Sequence, residues 1–201
     1  MGTYSSRSLA GLCLIIGPIV AMVSWILLGL VLGSGDTSME AFEDALSGDW
    51  ERIFAILPML GIFASLHGLM VLQSGIESDD SGHAFSLLGV RLWGFNVISA
   101  LVLLGLALGG SVSIGQMVGN LGEVMGSIGI LLIALALSTR DDQNKIIQLI
   151  MAVIALIATV VGVLHICDLG VDAALYDNLL TPYYIVWTIW SVIIGWNLLK
   201  D

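Results

Sequence analysis

GQMVGNLGEVMGSIG, residues Gly115 to Gly129, sets glycines four, three, four and three residues apart. Those steps return to one side of an α-helix. Gly115, Gly119, Gly122, Gly126 and Gly129 therefore form a stripe without side chains, on which a second helix can pack backbone to backbone. Glu123 borders the stripe, four residues after Gly119 and three before Gly126. If this helix lies in lipid, a carboxyl group beside a close-packed face has to be neutral, paired or functional.

The flanking chain supplies the lipid. Of 201 residues, 58% are hydrophobic and 11% charged, and the mean hydropathy is +1.02, outside the range of soluble domains. Charged side chains divide the sequence into long uncharged runs. With about 20 apolar residues needed to span the hydrocarbon, they predict transmembrane helices over 9–32, 53–73, 92–108, 117–138, 146–167 and 179–199. The fold class is all-α: a six-transmembrane-helix bundle forming one integral membrane domain. The first run is too long for a signal peptide and lacks a small-residue cleavage site, so it reads as a retained helix.

Arg7, Arg91, Arg140, Lys145 and Lys200 fall on one side of this arrangement and Arg52 on the other. The positive-inside rule then puts both termini in the cytoplasm of a prokaryotic cell, with the chain multi-pass in its inner membrane. The net charge of −10 excludes nucleic acid and anionic headgroups as electrostatic partners. The expected partners are the lipid bilayer, other membrane subunits, or a second copy. Cys13 and Cys167 belong near opposite faces and are not expected to form a disulfide.

Along the chain, Gly17-Pro18 and Pro58 mark kinks in the first two helices. In the outer loop, Thr37-Ser38-Met39-Glu40 has the form of a capping box. Met39, Phe42 and Leu46 recur at helical spacing, which predicts a short amphipathic outer-loop helix. Thr181-Pro182-Tyr183-Tyr184 reads as a proline in the first turn of the last helix followed by an aromatic belt. No internal repeat aligns.

Two groups of polar residues stand out. On the inner side, His67 and Arg91 fall at similar depth, so either they touch, or Arg91 snorkels to the interface while His67 bonds a backbone carbonyl. Asn96 is the deepest amide and is expected to bond across to another helix. On the outer side, Glu123 shares an end of the bundle with His165, Asp168 and Asp172, with Cys167 nearby. If the fifth helix continues, His165, Asp168 and Asp172 share a face. Carboxylates with an imidazole suit a proton relay, a polar-ligand site, a divalent cation or a structural Glu–His bond. Metal sites normally present at least two imidazole or thiolate ligands at tight spacing, so no metal is assigned.

No cofactor is assigned either. His67 and His165 are separated along the bilayer normal by on the order of 20 Å at about 1.5 Å per residue, too far for a haem held by two histidines. No nucleophile set, phosphate loop, His-Glu-x-x-His or Cys-x-x-Cys occurs. There are thus no catalytic residues to name, and the reading leans away from an enzyme.

Arg7 shortly before Ala10-Gly11, the acidic outer loop, and Glu51-Arg52-Ile53 leading into the second helix carry a resemblance. In layout the chain resembles the uncharacterised prokaryotic membrane family called domain of unknown function 4386. That resemblance covers most of the chain and implies a helical membrane fold, with no activity or site residues. The functional expectation is a non-catalytic membrane protein, either an accessory subunit or a self-associating bundle built on the glycine face. The rival is a carrier or sensor of a small polar or protonated ligand using Glu123 and His165, and a third option is a metal-dependent enzyme at the outer cluster. The stripe is expected to receive the fifth helix and bring His165 to Glu123.

Overall fold

Where each helix stops is decided by caps rather than by charges. The computed structural model describes residues 5–27, 49–76 and 82–200, which form α1 (Ser6–Leu27), α2 (Asp49–Ser74), α3 (His83–Leu108), α4 (Val112–Ser138), α5 (Lys145–Ile166) and α6 (Ala173–Lys200). All six are long and apolar enough to cross a membrane. The expected outer-loop helix and the end of the first expected span, 28–32, lie outside the described residues.

Three helices start at least five residues before the expected position. α3 begins at His83 rather than near 92, because the apolar approach is itself helical and Arg91 sits on an exposed face of it. A single guanidinium on the outside of a helix does not end it. The long run from 92 to 122 breaks at Gly109-Gly110. There the Gly110 N–H bonds the Ala107 carbonyl and the Ser111 N–H the Leu106 carbonyl, at 3.1 and 2.8 Å. That is a Schellman end, and Gly110 takes the left-handed φ of 74° that it requires. The turn is so short that α4 starts at Val112 rather than near 117.

α6 starts at Ala173 rather than near 179 because Asp172 caps it, accepting the Leu175 N–H at 2.8 Å. Pro182 therefore lies inside the helix and not in its first turn.

Sequential helices are neighbours, and α1 closes the ring against α6. Three of these contacts are backbone to backbone. A methyl group added at Gly11 would come within 2.7 Å of the Gly195 carbonyl oxygen, and one at Gly195 within 2.6 Å of that of Gly11. Gly17 and Gly61 oppose each other in the same way between α1 and α2, as do Gly89 and Gly129 between α3 and α4. α5 joins α4 through the Ser127–Thr159 hydroxyl pair at 2.9 Å. It is also keyed by Val124, whose side chain fills the notch at Gly162.

The helices thus group as α1, α2, α6 and as α3, α4, α5, with closer packing inside each group than at the α2–α3 and α5–α6 boundaries. We call the boundary between the groups the seam. α6 reaches across it through Tyr176 and Tyr184 to α4, Trp187 to α3 and Trp190 to α5.

The glycine stripe corrects one expectation: it receives α3, not α5. Gly115 and Gly119 lie against Leu103, Gly122 against Ser99, Gly126 against Asn96, and Gly129 against Gly89 and Trp93. The cause is the two-glycine turn, which folds α4 straight back along α3. Arg7, Arg140, Lys145 and Lys200 mark one end of the bundle, called here the basic end. There Arg140 forks onto both oxygens of Asp142, at 2.8 and 2.9 Å. This hydrogen bond holds the Asp142 carboxyl below the usual carboxylate range.

Candidate functional site

Glu123 lies eleven residues into α4, about 16 Å along it at about 1.5 Å per residue, because that helix starts at Val112 rather than near 117. Its side chain faces the seam. The Tyr176 hydroxyl donates to Oε2 at 2.5 Å and the Tyr184 hydroxyl to Oε1 at 2.7 Å. Both tyrosines come from α6, eight residues apart, or about 12 Å along the axis. Eight residues bring the helix to a direction about 80° round from the first, so the two rings reach the carboxyl from neighbouring faces of α6, about two turns apart. Among the described residues, the hydrogen-bond donors to Glu123 are these two hydroxyls.

His165 reaches Glu123 only through Tyr176. Its ring stacks on the Tyr176 ring with centroids 4.3 Å apart and planes 16° from parallel. Its Nδ1–H donates to the Val171 carbonyl at 2.9 Å, which ties the end of α5 to the start of α6. The imidazole therefore braces one of the two tyrosines and makes no direct bond to the acid.

Asp168 and Asp172 are not part of this group. α5 ends at Ile166 in a second Schellman motif, with Leu169 N–H to the Leu164 carbonyl at 2.8 Å and Asp168 N–H to that of His165 at 3.1 Å. Asp168 occupies the left-handed position with φ 55° and is exposed. Because the helix stops here, His165, Asp168 and Asp172 share no helical face, and Asp172 is the cap of α6. Cys167 is exposed and free, and Cys13 is free on α1. Among the described residues no three His, Cys, Asp or Glu side chains come together.

The inner candidates separate as well. His67 and Arg91 are both exposed on their own helices, and no hydrogen bond or ion pair joins them. Asn96 does not bond across to another helix. Its amide instead fills the space left by Gly122 and Gly126, each of which would drive a methyl group against it. The stripe thus makes room for a side chain of α3 at the level of Glu123.

Sequence reasoning missed most of the seam. Tyr183 is buried and Tyr184 half-buried, facing inward, where an aromatic belt would put them at the lipid interface. Trp190 Nε1–H donates to Gln148 Oε1 at 2.7 Å, joining α6 to a fully buried amide on α5. Trp93 of α3 packs on Trp187 of α6 with centroids 5.0 Å apart. Two signals were available: Tyr176 and Tyr184 at helical spacing, and Gln148 as the lone amide within an aliphatic helix. Comparison with protein-family models, with curated proteins and with solved structures returned no match.

Proposed function

We propose that this chain is a multi-pass membrane protein that carries or senses a small polar or protonated ligand at Glu123. The observation that supports this most is the clasp: a carboxyl group well inside an apolar bundle, each oxygen held by a tyrosine hydroxyl from the opposite helix group. A purely structural acid in lipid is usually matched by a cation or by backbone donors. Here the partners are two hydroxyls that can release the carboxyl to a competing donor by rotating about a single bond. The site lies between two packed helix groups, where polar sites of membrane carriers commonly sit. Prokaryotic origin, inner-membrane placement and cytoplasmic termini belong to the same proposal, supported by the charge asymmetry. So does the resemblance to domain of unknown function 4386, supported by the sequence layout alone.

The glycine stripe no longer argues for a second copy, since α3 of the same chain covers it. The test is a fluorescence titration with pH in lipid vesicles, because Trp93 and Trp187 lie in the seam beside the tyrosines. The wild type is expected to show a tryptophan transition that Glu123→Gln lacks at unchanged helicity. An identical transition in both proteins would remove Glu123 as the responsive group.

A further inference from the structure

Four buried polar atoms of α3 and α6 have no hydrogen-bond partner among the described residues: Trp93 Nε1, Tyr183 Oη, Trp187 Nε1 and Ser191 Oγ. The residues are 4%, 5%, 4% and 1% exposed. Buried polar groups are nearly always satisfied, and an unmet one is costly in a membrane interior. Their placement is not scattered. Tyr183, Trp187 and Ser191 follow at steps of four along the buried face of α6, and Trp93 lies ring to ring with Trp187 from across the seam.

Ser191 is telling. A serine inside a helix ordinarily bonds back to the carbonyl one turn earlier, as Thr188 does to Tyr184 at 2.9 Å. Ser191 makes no such bond, and its buried hydroxyl is left without a partner.

The line starts at Glu123 and leads toward the basic end. The Tyr183 ring lies beside that of Tyr184, with centroids 5.3 Å apart and planes tilted by 59°, and Tyr184 donates to Glu123. Ser191 lies eight residues further, about 12 Å along the axis. Beyond it, Asn197 and Leu198 line a cleft of about 240 Å³ at the basic end, together with Arg7, Arg140, Asp142 and Gln143. The indole N–H groups can only donate, whereas the tyrosine and serine hydroxyls can also accept. Water satisfies such a mixed set, and two to four polar partners are what a buried water molecule needs.

We propose that Tyr183, Trp187, Trp93 and Ser191 hold a short file of ordered water through which Glu123 exchanges its proton with the basic end of the bundle. This rests on the reading of Glu123 as the responsive group and names its ligand as the proton. In each exchange the carboxyl O–H bond breaks and the proton passes to the nearest oxygen of the file. A proton leaves the far oxygen at the basic end, so each water is restored. Among the described residues, Tyr176 and Tyr184 on α6 bond Glu123 directly, and Asp177 on α6 and His165 on α5 act on it through space. Tyr183 lies next to them.

The test is carboxyl hydrogen–deuterium exchange, followed by infrared spectroscopy on the full chain in lipid vesicles, with the Glu123 band assigned by its loss in Glu123→Gln. Ser191→Ala and Tyr183→Phe each remove one oxygen and little volume. Both are expected to slow Glu123 exchange by about tenfold, the effect of losing one hydrogen-bond partner, and to lower the melting temperature because the water loses a partner. If the seam is dry, both variants remove an unmet polar group. Exchange within about twofold of wild type, with equal or higher melting temperature, would overturn the file while leaving Glu123 as the site. A carboxyl spectrum unchanged by Glu123→Gln would overturn both.

Discussion

The clasp makes a prediction that can be worked from its geometry. Tyr184→Phe removes the donor 2.7 Å from Oε1 and leaves Oε2 bonded to Tyr176. Hydrogen bonds between membrane helices contribute about 0.6 kcal/mol on average and up to about 1.7, so the single loss is expected within that range. Tyr176→Phe removes the other bond and also changes the ring on which His165 stacks.

Losing both hydroxyls is a different event, because Glu123 is then without a donor in the seam. That adds about 1–3 kcal/mol for an unsatisfied buried group, so the double variant should cost more than the sum of its parts. In a Glu123→Leu background both hydroxyls have already lost their acceptor, and Tyr184→Phe should cost nothing or stabilise. Reversible unfolding in mixed micelles with increasing dodecyl sulfate, followed by circular dichroism, reads each corner of the cycle. If Tyr184→Phe costs the same with Glu123 as with leucine, to within about 0.3–0.5 kcal/mol, the two side chains are not coupled and the clasp carries no free energy.

Other consequences are independent of the site. Gly129→Ala would put a methyl group 2.7 Å from the Gly89 carbonyl oxygen, and a backbone cannot step aside as a side chain can. Overpacking of about 1–3 kcal/mol should appear as a lower melting temperature, whereas Gly105→Ala, with nothing within 4 Å, should be neutral or stabilising. At the end of α5, where Asp168 has φ 55°, Asp168→Ala should destabilise by about 1 kcal/mol and Asp168→Gly should not; the reverse order in thermal melts would contradict the Schellman end. Asp142, held below its ordinary range by Arg140, contributes stability that is present above its unfolded pKa of about 3.9 and lost as pH falls through its lower folded value. With 48% of that side chain exposed the loss is a few tenths of a kcal/mol, and acid melts of Asp142→Asn should lack it.

Hydropathy made the number of helices legible, because the length of an apolar run is fixed by bilayer thickness. Helix ends were less legible, because charges were taken as boundaries. Arg91 sits on the outside of α3 and interrupts nothing, while the true stops are the left-handed positions at Gly110 and Asp168. Of these, Asp168 carries no compositional sign. The stripe was read correctly as a packing surface but assigned to the wrong neighbour, since the pattern fixes a face and not its occupant. Gly11, Gly17, Gly61, Gly89 and Gly195 went unread because each is a single close approach on its own helix, visible only when two helices are placed together. Glu123 was singled out because it borders the glycine face of an apolar helix, where a carboxyl group has to be neutral, paired or functional. Tyr176 and Tyr184 were not, because a tyrosine near a helix start has the same local signature whether it faces lipid or a carboxyl group.

The distribution of contact types bears on how a change at Glu123 would spread. Within each helix group the close approaches are backbone to backbone, at Gly11–Gly195, Gly17–Gly61 and Gly89–Gly129. Sliding or rotating one helix on another there drives Cα atoms into carbonyl oxygens, and close-packed interfaces resist such continuous deformation. Across the seam the polar and aromatic contacts are made by side-chain ends: Glu123 with two tyrosines, Trp190 with Gln148, and Trp93 with Trp187 at a tilt of 40°. Such contacts re-form in a new register at the cost of rotamer changes alone. A change in what Glu123 binds alters the partners of Tyr176 and Tyr184, both on α6, and α6 is locked to α1 at Gly11–Gly195. The displacement therefore passes to α1, α2 and α6 as a body, against α3, α4 and α5, and the glycine contacts between helices help keep each body rigid.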